Sequence, residues 1–85
     1  MMPEWISVEE HLPRKNGKYL CCCDNKYIRI LGFAKSLYSV DSYTFANEHR
    51  SGFYDYDHEY GYFEYDSITH WMPLPEPPKE GDDNG

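Results

Sequence analysis

The sequence predicts a mostly β domain, with a small α+β arrangement as the variant: a single compact antiparallel sheet, a short N-terminal helical turn and a disordered acidic C-terminal tail. Three observations point there. Lys18–Cys23 and Tyr27–Phe33 are runs of aromatic, β-branched and small apolar residues parted by Asp24-Asn25-Lys26, which is hairpin chemistry. Tyr54 and Tyr56 alternate with Asp55 and Asp57, the period-2 pattern of a strand with one aromatic and one acidic face. No stretch carries the period of a long amphipathic helix.

Taken in chain order, Trp5-Ile6-Ser7-Val8 leads into Glu9-Glu10-His11-Leu12-Pro13. Ser7 followed three residues later by Glu10 fits a capping box, so one helical turn is expected there. Pro13 ends it, because the residue before proline disfavours helical geometry. Arg14-Lys15-Asn16-Gly17 has turn chemistry. In the hairpin that follows, a two-residue turn at Asp24-Asn25 sets Cys21 opposite Ile28 and Tyr19 opposite Ile30. Arg29 and Leu20 then take the other face, and a turn one residue longer shifts that register. Leu37–Phe45 alternates imperfectly and reads as a further strand, broken by the polar Asn47–Gly52.

Gly52–Asp66 holds seven aromatics, five acids and no Lys or Arg in fifteen residues, with Gly61 as its turn point. Ile68–Met72 is the final strand, and Pro73, Pro75, Pro77 and Pro78 forbid regular pairing beyond it. From Glu76 onward nothing is apolar, so residues 1–78 form one domain and residues 79–85 a flexible acidic tail.

Eighty-five residues, 40% of them hydrophobic and 27% charged, allow one domain with a small core and exclude a large enzyme architecture. No apolar run reaches the length of a membrane helix. The start, Met1-Met2-Pro3-Glu4-Trp5, lacks the basic and apolar segments of a secretory signal. The net charge of −7 is unevenly spread: residues 1–50 hold seven bases and six acids, residues 51–85 one base and nine acids. The acidic half repels phosphate and anionic lipid, which argues against direct nucleic-acid or membrane binding and favours a partner with a basic surface. Cys21, Cys22 and Cys23 are the whole cysteine complement. An odd count rules out a conventional disulfide framework, and strand alternation turns Cys21 and Cys23 to one face and Cys22 to the other. They read as small apolar strand residues in a reducing, cytoplasmic setting.

The two ends of the chain carry a family resemblance. Trp5-Ile6-Ser7-Val8, Leu12-Pro13 and the run Ile68-Thr69-His70-Trp71-Met72-Pro73-Leu74-Pro75-Glu76-Pro77-Pro78 resemble the Domain of Unknown Function 551 family, short proteins of bacteriophages, prophages and their bacterial hosts. The resemblance spans Glu4 to Pro78. It implies a phage or prophage origin, a cytosolic host setting and a compact β-rich fold. It brings no assigned activity, cofactor or catalytic residue.

The candidate residues sort by competing readings. Trp5, Leu12 and Trp71 read as structural, with the two indoles packed together to join the ends of the domain. His70 turns outward if Trp71 faces the core, and without a nearby cysteine or a nucleophile-elbow serine it reads as a surface histidine rather than half of a dyad. Asp55, Asp57, Glu59, Glu64 and Asp66 have a calcium-loop length but the wrong glycine position and last ligand. His11, His49 and His58 lie scattered without metal-ligand spacing, so no metal or other cofactor is expected. The working surface is the aromatic-acidic segment. Phe53, Tyr54, Tyr56, Phe63 and Tyr65 contribute packing while Asp55, Asp57, Glu59 and Glu64 stay wet. The candidate binding set is Tyr54, Asp55, Tyr56, Asp57, Glu59, Tyr60, Tyr62, Glu64 and His70. These residues suggest a non-enzymatic module that binds a host or phage protein. The alternatives are a nucleic-acid mimic that blocks a host DNA- or RNA-binding or defence protein, and a small-ligand binder or enzyme using His70. An unpaired edge on the last strand would favour a homodimer.

Overall fold

The structure, a computed structural model, describes residues 4–75; the expected tail at 79–85 lies outside them. Six strands, β1 (Ile6–Ser7), β2 (Gly17–Cys23), β3 (Tyr27–Ala34), β4 (Gly52–Asp57), β5 (Gly61–Tyr65) and β6 (Ile68–Pro73), form one antiparallel sheet in the order β1-β6-β2-β3-β4-β5. Asp66 and Ser67 alone connect β5 to β6, although β4, β3 and β2 lie between them in the sheet. In a flat sheet that is four strand spacings, about 19 Å. From Tyr65 to Ile68 the chain reaches only about 10 Å. The sheet therefore rolls up, and its inner face becomes the core.

Cys21, Cys23, Leu31, Phe33, Phe53 and Trp71 fill that interior, with Ile6, Val8, Tyr19, Tyr65 and Ile68 packed around them. Cys21 and Cys23 are buried and Cys22 is not, as alternation requires. Burial pushes the Cys21 thiol up to about 12, helped by Cys23 beside it, and burial raises Cys23 as well. Phe33 meets Phe53 edge to face at 5.0 Å, and Tyr19 meets Trp71 at 5.3 Å. Arg29 places its guanidinium 5.7 Å over the Tyr65 ring.

Several expectations are corrected. The β2–β3 hairpin pairs Cys21 with Arg29, Cys22 with Ile28 and Tyr19 with Leu31. Its turn takes all three of Asp24, Asn25 and Lys26, with Asp24 (φ 54°) and Asn25 (φ 58°) left-handed and the Lys26 amide donating to the Cys23 carbonyl at 2.9 Å. That extra residue moves every partner by one place. Ile28 and Ile30 consequently face solvent, 63% and 55% exposed, and Leu31 takes the core position instead.

Leu37–Phe45 is not a strand. It is a 3-10 turn at Leu37–Ser39 followed by further turns. Polar side chains satisfy its backbone locally: Ser39 Oγ donates to Ser36 O at 2.7 Å, and Asp41 accepts from the Tyr43 amide and the Thr44 hydroxyl. Such bonds compete with a sheet ladder. Leu37 and Phe45 anchor this connection and are buried.

The N-terminal helical turn is a hydrogen-bonded turn. Glu10 N donates to Ser7 O at 2.9 Å, and Ser7 Oγ caps the Glu9 amide, one residue earlier than a capping box. The two ends of the domain do meet, through Ile6 opposite Trp71 and Ser7 opposite His70, but the indoles do not clasp. Trp71 (5% exposed) packs edge-on to His11 and Tyr19 and donates its indole N–H to the His11 carbonyl at 3.0 Å. Trp5 lies just outside β1 and is 38% exposed. Nor is the last strand an edge: β6 runs between β1 and β2.

Candidate functional site

The β4–β5 hairpin carries most of the residues singled out in the sequence. It pairs Phe53 with Tyr65, Tyr54 with Glu64, Asp55 with Phe63, Tyr56 with Tyr62 and Asp57 with Gly61. Cross-strand partners share a face. Phe53, which is in the core, fixes the inner face, so Tyr65, Asp55, Phe63 and Asp57 lie on that side. Tyr54, Tyr56, Tyr62 and Glu64 lie on the outer one.

The expected single acidic-aromatic surface therefore divides. On the outer face the Tyr62 ring stands 4.8 Å from Tyr56 and 5.9 Å from Tyr54, both steeply tilted, making three interlocked ribs. Burial, with Tyr62 adding to it, raises the Tyr54 phenol. Of the aromatics expected to pack, Phe53 is core, Tyr54 and Tyr65 are half-buried, and Tyr56 and Phe63 are exposed.

The hairpin tip is built by one carboxylate. Asp57 Oδ1 accepts from the amides of Glu59 at 2.7 Å and Tyr60 at 3.1 Å, an Asx turn that lifts His58, Glu59 and Tyr60 into solvent. Gly61 closes the turn at φ +88°, where a Cβ would be strained. Tyr60 is 84% exposed. Asp55 is tied more locally, with Oδ1 accepting from the Tyr56 amide at 2.9 Å.

Glu64 is not a free carboxylate. Arg50 reaches it bidentately, Nη1 to Oε2 at 2.7 Å and Nη2 to Oε1 at 2.6 Å, while its Nε donates to Glu48 at 2.9 Å. The guanidinium holds the Glu64 carboxyl below the ordinary carboxylate range. Neither Arg50 nor this pairing had a local signal in the sequence, because fourteen residues and a whole turn separate the partners. Gly32 was the other residue missed, although a glycine inside a strand signals close approach of another group. Here the group is the Tyr54 ring.

His70 lies on the outer face, opposite Ser7 on β1 and Cys22 on β2. The expectation that no cysteine is near it is corrected: a one-residue bulge at Thr69 brings Cys22 into register with it. The Thr69 hydroxyl donates to the Cys22 carbonyl at 3.2 Å and lies 3.0 Å from His70 Nδ1. A shallow polar depression beside the ring is lined by Ser7, Glu9, Asn25 and Thr69. Leu12, at the seam of the rolled sheet, lines an apolar hollow with Val8, Phe53, Tyr65 and Ile68. Among the described residues, no helix is long and apolar enough to cross a membrane.

Comparison with known proteins agrees with this architecture being a small phage-type domain. A family described as "Protein of unknown function (DUF551)" matches residues 4–79. An uncharacterised 7.8 kDa protein from the ral-gp17 intergenic region of Salmonella phage P22 is 28% identical over 79 residues, covering 91% of this chain and 98% of that one. No solved structure matches. The chain belongs to the DUF551 family.

Proposed function

We propose that this member of the DUF551 family is a non-enzymatic protein-binding module of the host cytoplasm, and that its tyrosine-ribbed hairpin engages a host or phage protein with a basic surface. The observation that carries the proposal is the set of Tyr54, Tyr56 and Tyr62 rings, 4.8 and 5.9 Å apart on the outer sheet face, with Tyr60 projecting from the tip. Rings held by one another lose little rotamer freedom on binding and offer apolar area with a polar tip, the chemistry favoured at protein interfaces. Glu59, exposed beside Tyr60 at the hairpin tip, supplies negative charge next to them that steers a basic partner. The phage P22 relative supports the phage setting.

The nucleic-acid mimic has less support from the same geometry, because Asp55 and Asp57 turn away from the face of Glu64, whose charge Arg50 already offsets. A His70-centred ligand site is the second reading, favoured by the polar depression that His70 lines with Ser7, Glu9, Asn25 and Thr69. Affinity capture from host lysate separates these readings. Tyr56→Ala with Tyr60→Ala should lose the partner, whereas Tyr43→Ala, 90% exposed on a remote turn, and His70→Ala should keep it. Capture unchanged by the hairpin substitutions, or abolished by His70→Ala alone, would reject the proposal.

A further inference from the structure

β3 is eight residues long, yet β4 pairs only with its last three, Gly32, Phe33 and Ala34. Beyond Gly32 the two strands part, and on that side nothing among the described residues pairs with Tyr27–Leu31. The Tyr56 amide, on the diverging arm of β4, is taken by Asp55 Oδ1. The result is an open strand edge bearing Tyr27, Ile28 and Ile30, each more than half exposed.

Natural sheets protect such edges with proline, bulges or outward charges. This one has no proline, and Arg29 is drawn to the inner side over Tyr65. The other long free edge, that of β5, runs along the seam beside Val8 and Ile68 and presents Glu64 already bound to Arg50.

We propose that this edge of β3 pairs antiparallel with the same edge of a second copy, about a two-fold axis at Ile28, joining two sheets into one. The register follows from the residues. Centring the pair on Arg29 sets two guanidinium groups directly opposite each other, which is destabilising. Centring it on Ile30 requires Gly32, whose edge Tyr54 already occupies. Centring it on Ile28 uses only Lys26–Ile30 and sets Ile28 against Ile28, a β-branched pair on the outer face.

The same register places Arg29 opposite Tyr27 of the other copy, twice by symmetry. Each guanidinium then has a ring to either side, its own Tyr65 and the partner's Tyr27. Lys26 lies across from Ile30, where its alkyl stem covers the apolar side chain and its ammonium reaches water. Every directly opposed pair in this register is complementary or neutral, and isologous symmetry closes the assembly at two copies rather than extending it.

The test is sedimentation with cross-linking. The wild type should move from 10.1 kDa toward twice that mass as its concentration rises, and Ile28→Lys, a substitution at an exposed position, should hold it at the monomer. In a Cys22→Ser background, Ile28→Cys should form a disulfide-linked dimer under mild oxidation, because directly opposed Cβ atoms stand about 4.5 to 5.5 Å apart. Ile30→Cys, which faces Lys26, should cross-link at least tenfold more slowly. The Cys pair decides the matter even if the lysine variant does not fold. A wild type that remains monomeric at the highest concentration, or equal cross-linking at both positions, would overturn the proposal. So would an edge found paired with a strand of a different protein.

Discussion

Gly32 and Tyr54 test whether the tyrosine ribs have a built foundation. A Cβ placed on Gly32 would stand 2.3 Å from Tyr54 Cζ and 2.7 Å from both Cε atoms, so the phenol lies across the bare backbone of β3. Ordinary carbon contacts are about 3.5 to 4.0 Å. Gly32→Ala must therefore push the ring more than 1 Å outward, losing its burial against β3 and its fit with Tyr62. Overpacking of this kind costs about 1 to 3 kcal/mol. Alanine in place of glycine inside a strand gives back about 0.5 to 1 kcal/mol, so the net loss should lie between about 0 and 2.5 kcal/mol. In a Tyr54→Ala background the clash vanishes, and the same Gly32→Ala change should stabilise the protein by about 0.5 to 1 kcal/mol. Urea denaturation of the four proteins of this cycle gives the coupling directly. The Tyr54 phenol, raised by burial, should also titrate lower once displaced by Gly32→Ala. A Gly32→Ala effect of the same sign and size in both backgrounds would refute the reasoning.

Three other perturbations read different parts of the fold. Trp71→Ala empties the centre of the core and removes the indole bond to His11, and should cost about 3 to 5 kcal/mol; Trp5→Ala, at a part-exposed site, should cost about 1 kcal/mol or less in the same thermal melt. Glu64 has a lowered folded pKa, so its pairing with Arg50 adds stability above the ordinary glutamate range and loses it as pH falls through the lowered value. Glu64→Gln should therefore melt below wild type at pH 7 and equal it once the carboxyl is protonated, as followed by melts over a pH series. Cys21, buried and pushed up to about 12, and Cys23, also buried, should resist iodoacetamide in the folded protein while Cys22 is alkylated first. Peptide mapping shows the order, and equal labelling of all three would contradict the burial of the pair.

Local chemistry made much of this fold legible. β2, β3 and β6 stand where β-rich runs put them, with β6 extending one residue further than expected through Pro73, which pairs with Tyr19. Tyr54/Asp55 alternation correctly turns Tyr54 and Tyr56 to the face opposite Asp55 and Asp57. What failed depended on one residue or on distance. The Asp24–Lys26 turn differs from the expected one by a single residue, and that reversed the faces of Ile28 and Leu31. Leu37–Phe45 has strand-like composition, but Asp41, Ser39 and Thr44 bond their own neighbours first. The candidate site was legible as a segment and not as a surface. Alternation separates Tyr54 from Asp55, but only the β4–β5 register shows that Tyr62 completes the ribs and that Glu64 belongs to Arg50.

The rolled sheet explains why the remaining apolar surface is where it is. A core filled by Trp71, Phe33, Phe53, Leu31 and two thiols has no space for Tyr54, Tyr56, Tyr62, Ile28 or Ile30, and the pleat assigns them to the outer side. For a chain with net charge −7, leaving such residues outside costs solubility unless something covers them. The outer face divides where β3 and β4 part beyond Gly32 and Tyr54. On one side, aliphatic residues border an open strand edge, the arrangement suited to backbone pairing with an identical strand. On the other, β4 and β5 pair fully through Tyr56 and Tyr62, so their rings can meet a partner only by side-chain contact. The two proposed kinds of recognition thus lie on either side of one splay in the sheet. Because Ile28 and Tyr56 lie on different strands across that splay, each can be substituted without disturbing the other.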